Sequence, residues 1–325
     1  MRRRVLLAAT AVGALSPVPV HAQRKAMPVI GFLGPGLPGA QMQYNAAFRQ
    51  GLSGSGFIEA QNLTIDYRGA EGDFTRLPRL AGDLVGRKVD VIVCGGTHAT
   101  RAAKDATRTI PIVFVVGDDP VAGGLVASLA RPGGNVTGVS ILSPELNPKR
   151  LELLKELLPH ARIIGLLVDP RNRNHQLVLR EMEEAARAKG VQVHVVKASS
   201  DSEIDAAFEV LVQHRIDALF VDSDAYFDFR RDQIVALAAR HAIPAIFAYP
   251  SFTTAGGLIS YGPSLISAYR QLGIYSAIIL KGAKPSDLPV VQPTSFELIV
   301  NLRTARALRL TVAASLLVRA DEVIE

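Results

Sequence analysis

The sequence predicts an α/β protein made of two doubly wound parallel-sheet lobes, a clamshell joined by a three-segment hinge. Three observations lead there. Val29-Ile-Gly-Phe-Leu-Gly-Pro35 returns 134 positions later as Ile163-Ile-Gly-Leu-Leu-Val-Asp-Pro170. Ile110-Pro-Ile-Val-Phe114 returns as Ile243-Pro-Ala-Ile-Phe247, and Gly123-Gly-Leu-Val126 as Gly256-Gly-Leu-Ile259, both at 133, while Val89-Asp-Val-Ile-Val93 pairs with Ile216-Asp-Ala-Leu-Phe220 at 127. Such a period is too long for a solenoid and fits two similar lobes with a cleft between them. Short apolar runs also alternate with helical stretches of about 10–16 residues, the signature of βαβ units. Finally, 325 residues suffice for two domains with separate cores, and a hydrophobic content of 48% suits parallel sheets buried on both faces.

Taken in order, the first lobe's strands are expected at Val29–Leu33, Leu63–Tyr67, Val89–Cys94, Ile112–Val116 and Asn135–Ile141. Its helices fall near Gln41–Ser53, Thr75–Arg87, Thr97–Thr107 and Gly124–Ala130. The second lobe repeats the alternation, with strands Ile163–Val168, Val191–Val196, Ala218–Val221, Ala245–Ala248 and Leu258–Tyr261. Helices near Leu146–Leu158, Asn174–Lys189, Ser202–His214 and Phe229–His241 belong with them. The turn Arg131-Pro-Gly-Gly-Asn135 precedes the strand that leads between lobes. Beyond Tyr261 a long helix, Leu265–Leu280, closes at Lys281-Gly282. Pro285, Pro289 and Pro293 then carry an extended segment into Phe296–Val300 and a last helix. The expected division is residues 23–142 plus about 265–297 in one lobe, and 143–264 plus about 298–325 in the other. Three crossings permit bending and restrain twisting.

Met1–Ala22 reads as an export signal. Arg2–Arg4 form its basic start and Val5–Leu15 its apolar centre, and Val20-His21-Ala22 gives a cleavage point before Gln23. A periplasmic location follows as an expectation. The apolar centre is about half the roughly 20 residues that a spanning helix needs. Without residues 1–22 the chain has 33 basic against 30 acidic residues, +3 instead of +6, with the basic residues dispersed. No Lys/Arg run is interleaved with aromatics, so nucleic acid is not an expected partner. Cys94 is the lone cysteine, so no internal disulfide can form, and it is expected as a buried strand residue.

Gly34-Pro-Gly36-Leu-Pro-Gly39 matches the dinucleotide fingerprint in form. Two prolines interrupt it, and the next strand ends at Tyr67-Arg68 without the acid that would hold a ribose. A structural turn or a ligand-facing loop (Gly34, Pro35, Gly36) remains. Gly95, Gly96 and Thr97 follow the third strand, where Thr97 either caps a helix or offers its hydroxyl and nearby amides to a carboxylate. Asp118, Asp119 and Pro120 end the fourth strand, as a helix start or as acceptors for a ligand donor. The matching edge of the second lobe carries Asp169 and Asn174, then Asp222, Ser223, Asp224, Tyr226 and Phe227, then Tyr249, with Tyr261 at the last strand's end. Open α/β sheets bind ligands at this edge. The aromatics could wall a flat ligand part and the acids fix its polar ends, or all could be ordinary loop packing. The seven histidines show no metal-binding spacing, and no serine-hydrolase, P-loop or zinc-protease signature occurs. Neither metal, cofactor nor catalysis is expected.

Several stretches closely resemble the family of ABC-transporter substrate-binding proteins that includes tryptophan- and tyrosine-type binders. They are Pro111-Ile-Val-Phe-Val-Val-Gly-Asp-Asp-Pro120, Gly124-Leu-Val-Ala-Ser-Leu-Ala-Arg-Pro-Gly-Gly-Asn-Val-Thr-Gly138, Gly256-Gly-Leu-Ile-Ser-Tyr-Gly-Pro263, Ile279-Leu-Lys-Gly-Ala-Lys-Pro285 and Phe296-Glu-Leu-Ile-Val-Asn-Leu302. The resemblance implies a type I periplasmic-binding fold, delivery of a small solute to a membrane ABC permease, and no catalysis. It also implies that Thr97, Asp119-Pro120 and Asp224 lie on the ligand side. Pro38 and Arg171 depart from what an amino-acid site would carry. A monomer is the form expected for such a role. Other readings stay open: a periplasmic module that presents its solute to a receptor kinase, or a doubly wound enzyme. A sugar-type repressor core shares the fold but would carry a DNA-binding headpiece where the export signal stands.

Overall fold

In a computed structural model of the chain, residues 27–36, 39, 42–141, 144–172 and 175–325 are described. The export signal and Asn174 lie outside them. The first lobe runs β1 (Val29–Gly34), α1 (Met42–Ser53), β2 (Thr64–Gly69), α2 (Leu77–Gly86), β3 (Val91–Gly95), α3 (Thr97–Ala106), β4 (Ile112–Val116) and β5 (Val136–Ser140). Its sheet is parallel, ordered β2-β1-β3-β4-β5. The second runs α4 (Asn147–Leu157), β6 (Ile163–Val168), α5 (His175–Lys189), β7 (Gln192–Lys197), α6 (Asp201–Gln213) and β8 (Ala218–Val221). It continues through α7 (Ala225–Phe229), α8 (Arg231–Arg240), β9 (Ala245–Phe247), α9 (Pro250–Thr254) and β10 (Ile259–Pro263). After α10 (Leu265–Leu280) come β11 (Phe296–Asn301), α11 (Leu302–Ala307), α12 (Ala314–Arg319) and β12 (Glu322–Ile324).

The order of the second sheet is β12-β11-β10-β9-β8-β6-β7. Its β7-β6-β8-β9-β10 part repeats the first sheet strand for strand, as the sequence repeats require. The two sheets are separate, and β11 runs antiparallel to β10.

The central strands are apolar on both faces because helices cover both. In the first lobe, Leu80, Leu84, Ala99 and Ala103 of α2 and α3 pack with Ile92, Cys94 and Phe114. Phe48 and Leu52 of α1, with Leu272 of α10, share a core with Ile30, Val93 and Val113. In the second lobe, Leu151, Leu154, Val178 and Met182 share a core with Ile164, Leu166 and Phe220. Helix α10 follows the second lobe's β10 in sequence yet packs against α1. Glycine makes that crossing possible: a Cβ on Gly51 would lie 2.1 Å from the Arg270 carbonyl oxygen, and one on Gly273 would lie 2.2 Å from that of Phe48. The tail then adds to the first sheet's edge. The Val291 N–H donates to Gly138 O at 3.0 Å, and Val291 O accepts from Ser140 N–H at 2.9 Å, before the chain enters the second sheet as β11. The passage after β5, the β10-to-α10 link and this tail are the three hinge segments.

One expected element is not a helix. Residues 121–130 form turns, with Leu125 N–H bonded to Pro120 O at 2.8 Å and Ala127 N–H to Pro132 O at 2.8 Å. Gly124 adopts φ +67° at the start and Pro132 follows closely, leaving too few residues for a stable helix. The short α7, α9 and β12 were not foreseen.

Candidate functional site

The carboxyl ends of both sheets face one another across a cavity of about 100 Å³. From the first lobe come Pro35 after β1, Gly95 through His98 and Arg101 around the start of α3, and Val115 through Asp118 at the end of β4. From the second come Arg171 and Asn172 after β6, Ser223 through Ala225 and Asp228 after β8, and Tyr249 after β9. Ile141 beside the first hinge crossing, and Leu265 and Tyr269 on the opening turns of α10, complete the lining.

Gly96 holds φ +97° and ψ 162°, a conformation that only glycine adopts without strain. That geometry starts α3 at Thr97 with no side-chain cap, so the helix's first amides and its positive dipole end are left for an acceptor. Thr97 therefore does not act as the cap that the simpler reading proposed. Gly96 also lets the second lobe approach, since a Cβ there would lie 3.1 Å from that of Ala225.

The neighbouring acids part company. Asp118 is buried and lines the cavity. Asp119 is exposed and accepts from Val121 N–H at 2.8 Å and Ala122 N–H at 3.1 Å, a turn-forming role outside the lining, with Pro120 buried behind it. Asp224 begins α7, accepting from Tyr226 N–H at 2.7 Å and from Asn172 Nδ2 at 2.9 Å. Burial, reinforced by the nearby Asp169 carboxylate, raises its pKa well above the ordinary carboxylate value. Asp222 lies behind the lining, where burial raises it to about 7 against the opposing pull of Arg150. Burial also keeps His98 below its usual pKa, favouring the neutral imidazole.

Of the aromatics, Tyr249 lines the cavity and its hydroxyl is hydrogen-bonded to Ser223 Oγ. Tyr226 is buried outside the lining, with its hydroxyl donating to Asp201 Oδ1 at 2.7 Å. Phe227 is fully buried core. Tyr261 rests its ring on Phe296 and gives its carbonyl to Arg150 Nε at 2.7 Å. Asp169 also stands behind the lining, paired with Arg171. Gly34 ends β1 just before Pro35, while Gly36 packs so closely on the second lobe that a Cβ would lie 2.4 Å from the Phe229 ring.

Pro35, Gly95, Gly96, Thr97, Asp118, Ser223, Asp224 and Tyr249 are thus the expected residues that meet around one space. His98, Arg101, Arg171, Asn172, Asp228, Leu265 and Tyr269 join them without having been singled out as ligand contacts. Arg171 had a signal, an arginine in a turn already marked as unusual. Tyr269 had none, because its helix lies past both repeats.

Contacts beside the cavity bridge the lobes. Tyr44 on α1 donates its hydroxyl to Asp228 Oδ1 at 3.1 Å, and Ser251 Oγ donates to the same oxygen at 2.7 Å. Phe74, in the turn before α2, meets Tyr226 edge to face at 6.1 Å.

The family model for ABC transporter substrate-binding proteins matches residues 38–324. The chain belongs to this family. A tyrosine-binding protein of Clostridioides difficile (strain R20291) is 31% identical over 262 residues, covering 80% of this chain and 75% of the relative. An ABC domain in complex with L-Trp from Streptococcus pneumonia superposes with a TM-score of 0.81 at 28% identity, covering 91% of this chain and 99% of that one. The open, ligand-free structure of a substrate-binding protein with adhesive properties from Clostridium difficile gives 0.63 at 28% identity, covering 92% and 99%. At equal identity the L-Trp complex superposes better than the open, ligand-free structure. Among the described residues, no helix is long and apolar enough to cross a membrane.

Proposed function

We propose that this member of the family is an extracytoplasmic receptor that closes over one small organic solute and presents it to a membrane ABC importer. The solute is amino-acid-like, aromatic or carboxylated. One observation carries the reading: a single cavity is lined from the carboxyl edges of both sheets and from α10, so a ligand there contacts both lobes. Only the closed form completes those contacts, so binding favours closure.

The lining suggests an assignment of roles. The first amides of α3, from Thr97 onward, take a carboxylate, Asp118 and Asp224 approach a donor from opposite lobes, and Tyr249 and Tyr269 wall the apolar part. Passing the solute on unchanged requires no catalytic group. Residues 1–22 would direct export, with the mature chain starting at Gln23.

A thermal-shift screen of amino acids, aromatic acids and small carboxylates tests this. A true solute at 100 times its dissociation constant stabilises by about 2.7 kcal/mol. Calorimetry on Thr97→Ala combined with Asp224→Asn should then show binding weakened at least tenfold in a folded protein. Asparagine keeps an oxygen to accept from Tyr226 N–H, so α7 remains capped. Unchanged affinity removes both side chains from the site, and a screen without any binder overturns the receptor reading.

A further inference from the structure

Arg171 departs from the composition expected of an amino-acid site, and the structure fixes it with unusual thoroughness. Its Nε lies 3.0 and 3.1 Å from the two carboxylate oxygens of Asp169, and Nη2 donates to Oδ2 at 2.6 Å. The Asp169 side chain is fully buried, so this edge of the guanidinium is anchored in the interior. Its faces are held as well: the guanidinium carbon lies 4.9 Å from the Phe74 ring centre and 4.8 Å from that of Tyr226. Phe74 belongs to the first lobe and Tyr226 to the second, so the bracing is complete only when the lobes meet. The remaining nitrogen, Nη1, donates to no protein group among the described residues, and Arg171 lines the cavity. A guanidinium immobilised on one edge and both faces loses little freedom when its last nitrogen binds an acceptor. Charge-assisted bonds of this kind are the stronger ones.

We infer that Arg171 sets specificity: the solute carries an acidic group that docks on Nη1, and the receptor discriminates acids from their uncharged amides through this residue. The inference rests on the receptor reading above and goes further, because the amides of α3 could hold a carboxylate without Arg171.

The test is calorimetric titration of matched pairs: phenylacetate with phenylacetamide, L-tyrosine with L-tyrosinamide, and L-glutamate with L-glutamine. Three proteins are compared: the natural chain, Arg171→Lys, and the charge-balanced double variant Asp169→Asn/Arg171→Met, which leaves no unpaired carboxylate buried. Melting curves establish that each variant folds. In the natural chain, the acid of at least one pair should bind at least tenfold tighter than its amide. That ratio should shrink to within about threefold in the double variant, with Arg171→Lys, which keeps the charge but loses the fork, lying between. A ratio that survives in the double variant assigns the acid to another group and overturns the inference, as does an amide binding as tightly as its acid. Failure of every pair overturns it too. If a solute without an acidic group, added to the wider screen, still binds, the receptor reading stands without it.

Discussion

Tyr44→Phe should weaken solute binding without weakening the fold. The Tyr44 hydroxyl crosses from the first lobe to Asp228 of the second at 3.1 Å, and both residues are buried where the lobes meet. In the proposed opening of the lobes water would satisfy both groups, so this bond would belong to the closed form alone. Removing a hydrogen bond to a charged group costs about 1.5–3 kcal/mol. Ser251 continues to donate to the same Asp228 oxygen, which places the cost near the lower end. About 1.5 kcal/mol less for closure makes the apparent dissociation constant roughly tenfold weaker. Phenylalanine keeps the ring stacked 4.9 Å from Tyr269, so packing on α10 is preserved. Calorimetry with the tightest solute of the screen measures the loss, and small-angle scattering at half saturation should show a more open population. The solute-free melting temperature should change by less than about 2 °C, since a change of about 0.5 kcal/mol or less moves a lobe of this size no further. Equal affinity in variant and natural protein refutes the reasoning. A fall in solute-free stability as large as the fall in binding also refutes it, because the bond would then serve the fold and not closure.

Gly273→Ala should push α1 and α10 apart, because the new Cβ would lie 2.2 Å from Phe48 O and 2.9 Å from Leu52 N, backbone atoms that cannot turn aside. The overpacking costs about 1–3 kcal/mol beyond the roughly 1 kcal/mol that alanine gains in a helix, and it displaces Tyr269 from the cavity. A melting temperature within 1 °C of the natural protein sinks the prediction. Asp222 gives a dependence on pH. Its folded pKa of about 7 exceeds the ordinary value near 4, so in that interval the folded chain holds a proton that the unfolded chain releases. Its contribution is therefore complete below about pH 4 and is lost as pH rises through about 7. Urea midpoints at pH 5 and 8 should fall with pH, and Asp222→Asn should flatten that fall; an equally steep decline in the variant contradicts it.

Much of the architecture was legible from the chain itself. Strand and helix periodicities are local properties, and a repeat of such periodicities implies two lobes of one topology. Strand ends are local too, so the loops after β1, β3, β4, β6, β8 and β9 could be marked as the ligand edge before any packing was known. What the linear order could not separate were neighbours and strangers. Asp118 and Asp119 are adjacent acids, yet the turn after β4 buries one at the cavity and spends the other on the amides of Val121 and Ala122. Tyr226 and Tyr249 both follow strands, yet the single turn of α7 carries Tyr226 away to Asp201 and makes it a platform for Arg171. Tyr269 reaches the site only because α10 returns to α1 through contacts between glycine backbones. Tyr44 and Asp228, 184 positions apart, become partners only where the two lobes meet. Chain-local energetics settled the parts and their order, while the site depends on contacts across sequence distances that no local pattern encodes.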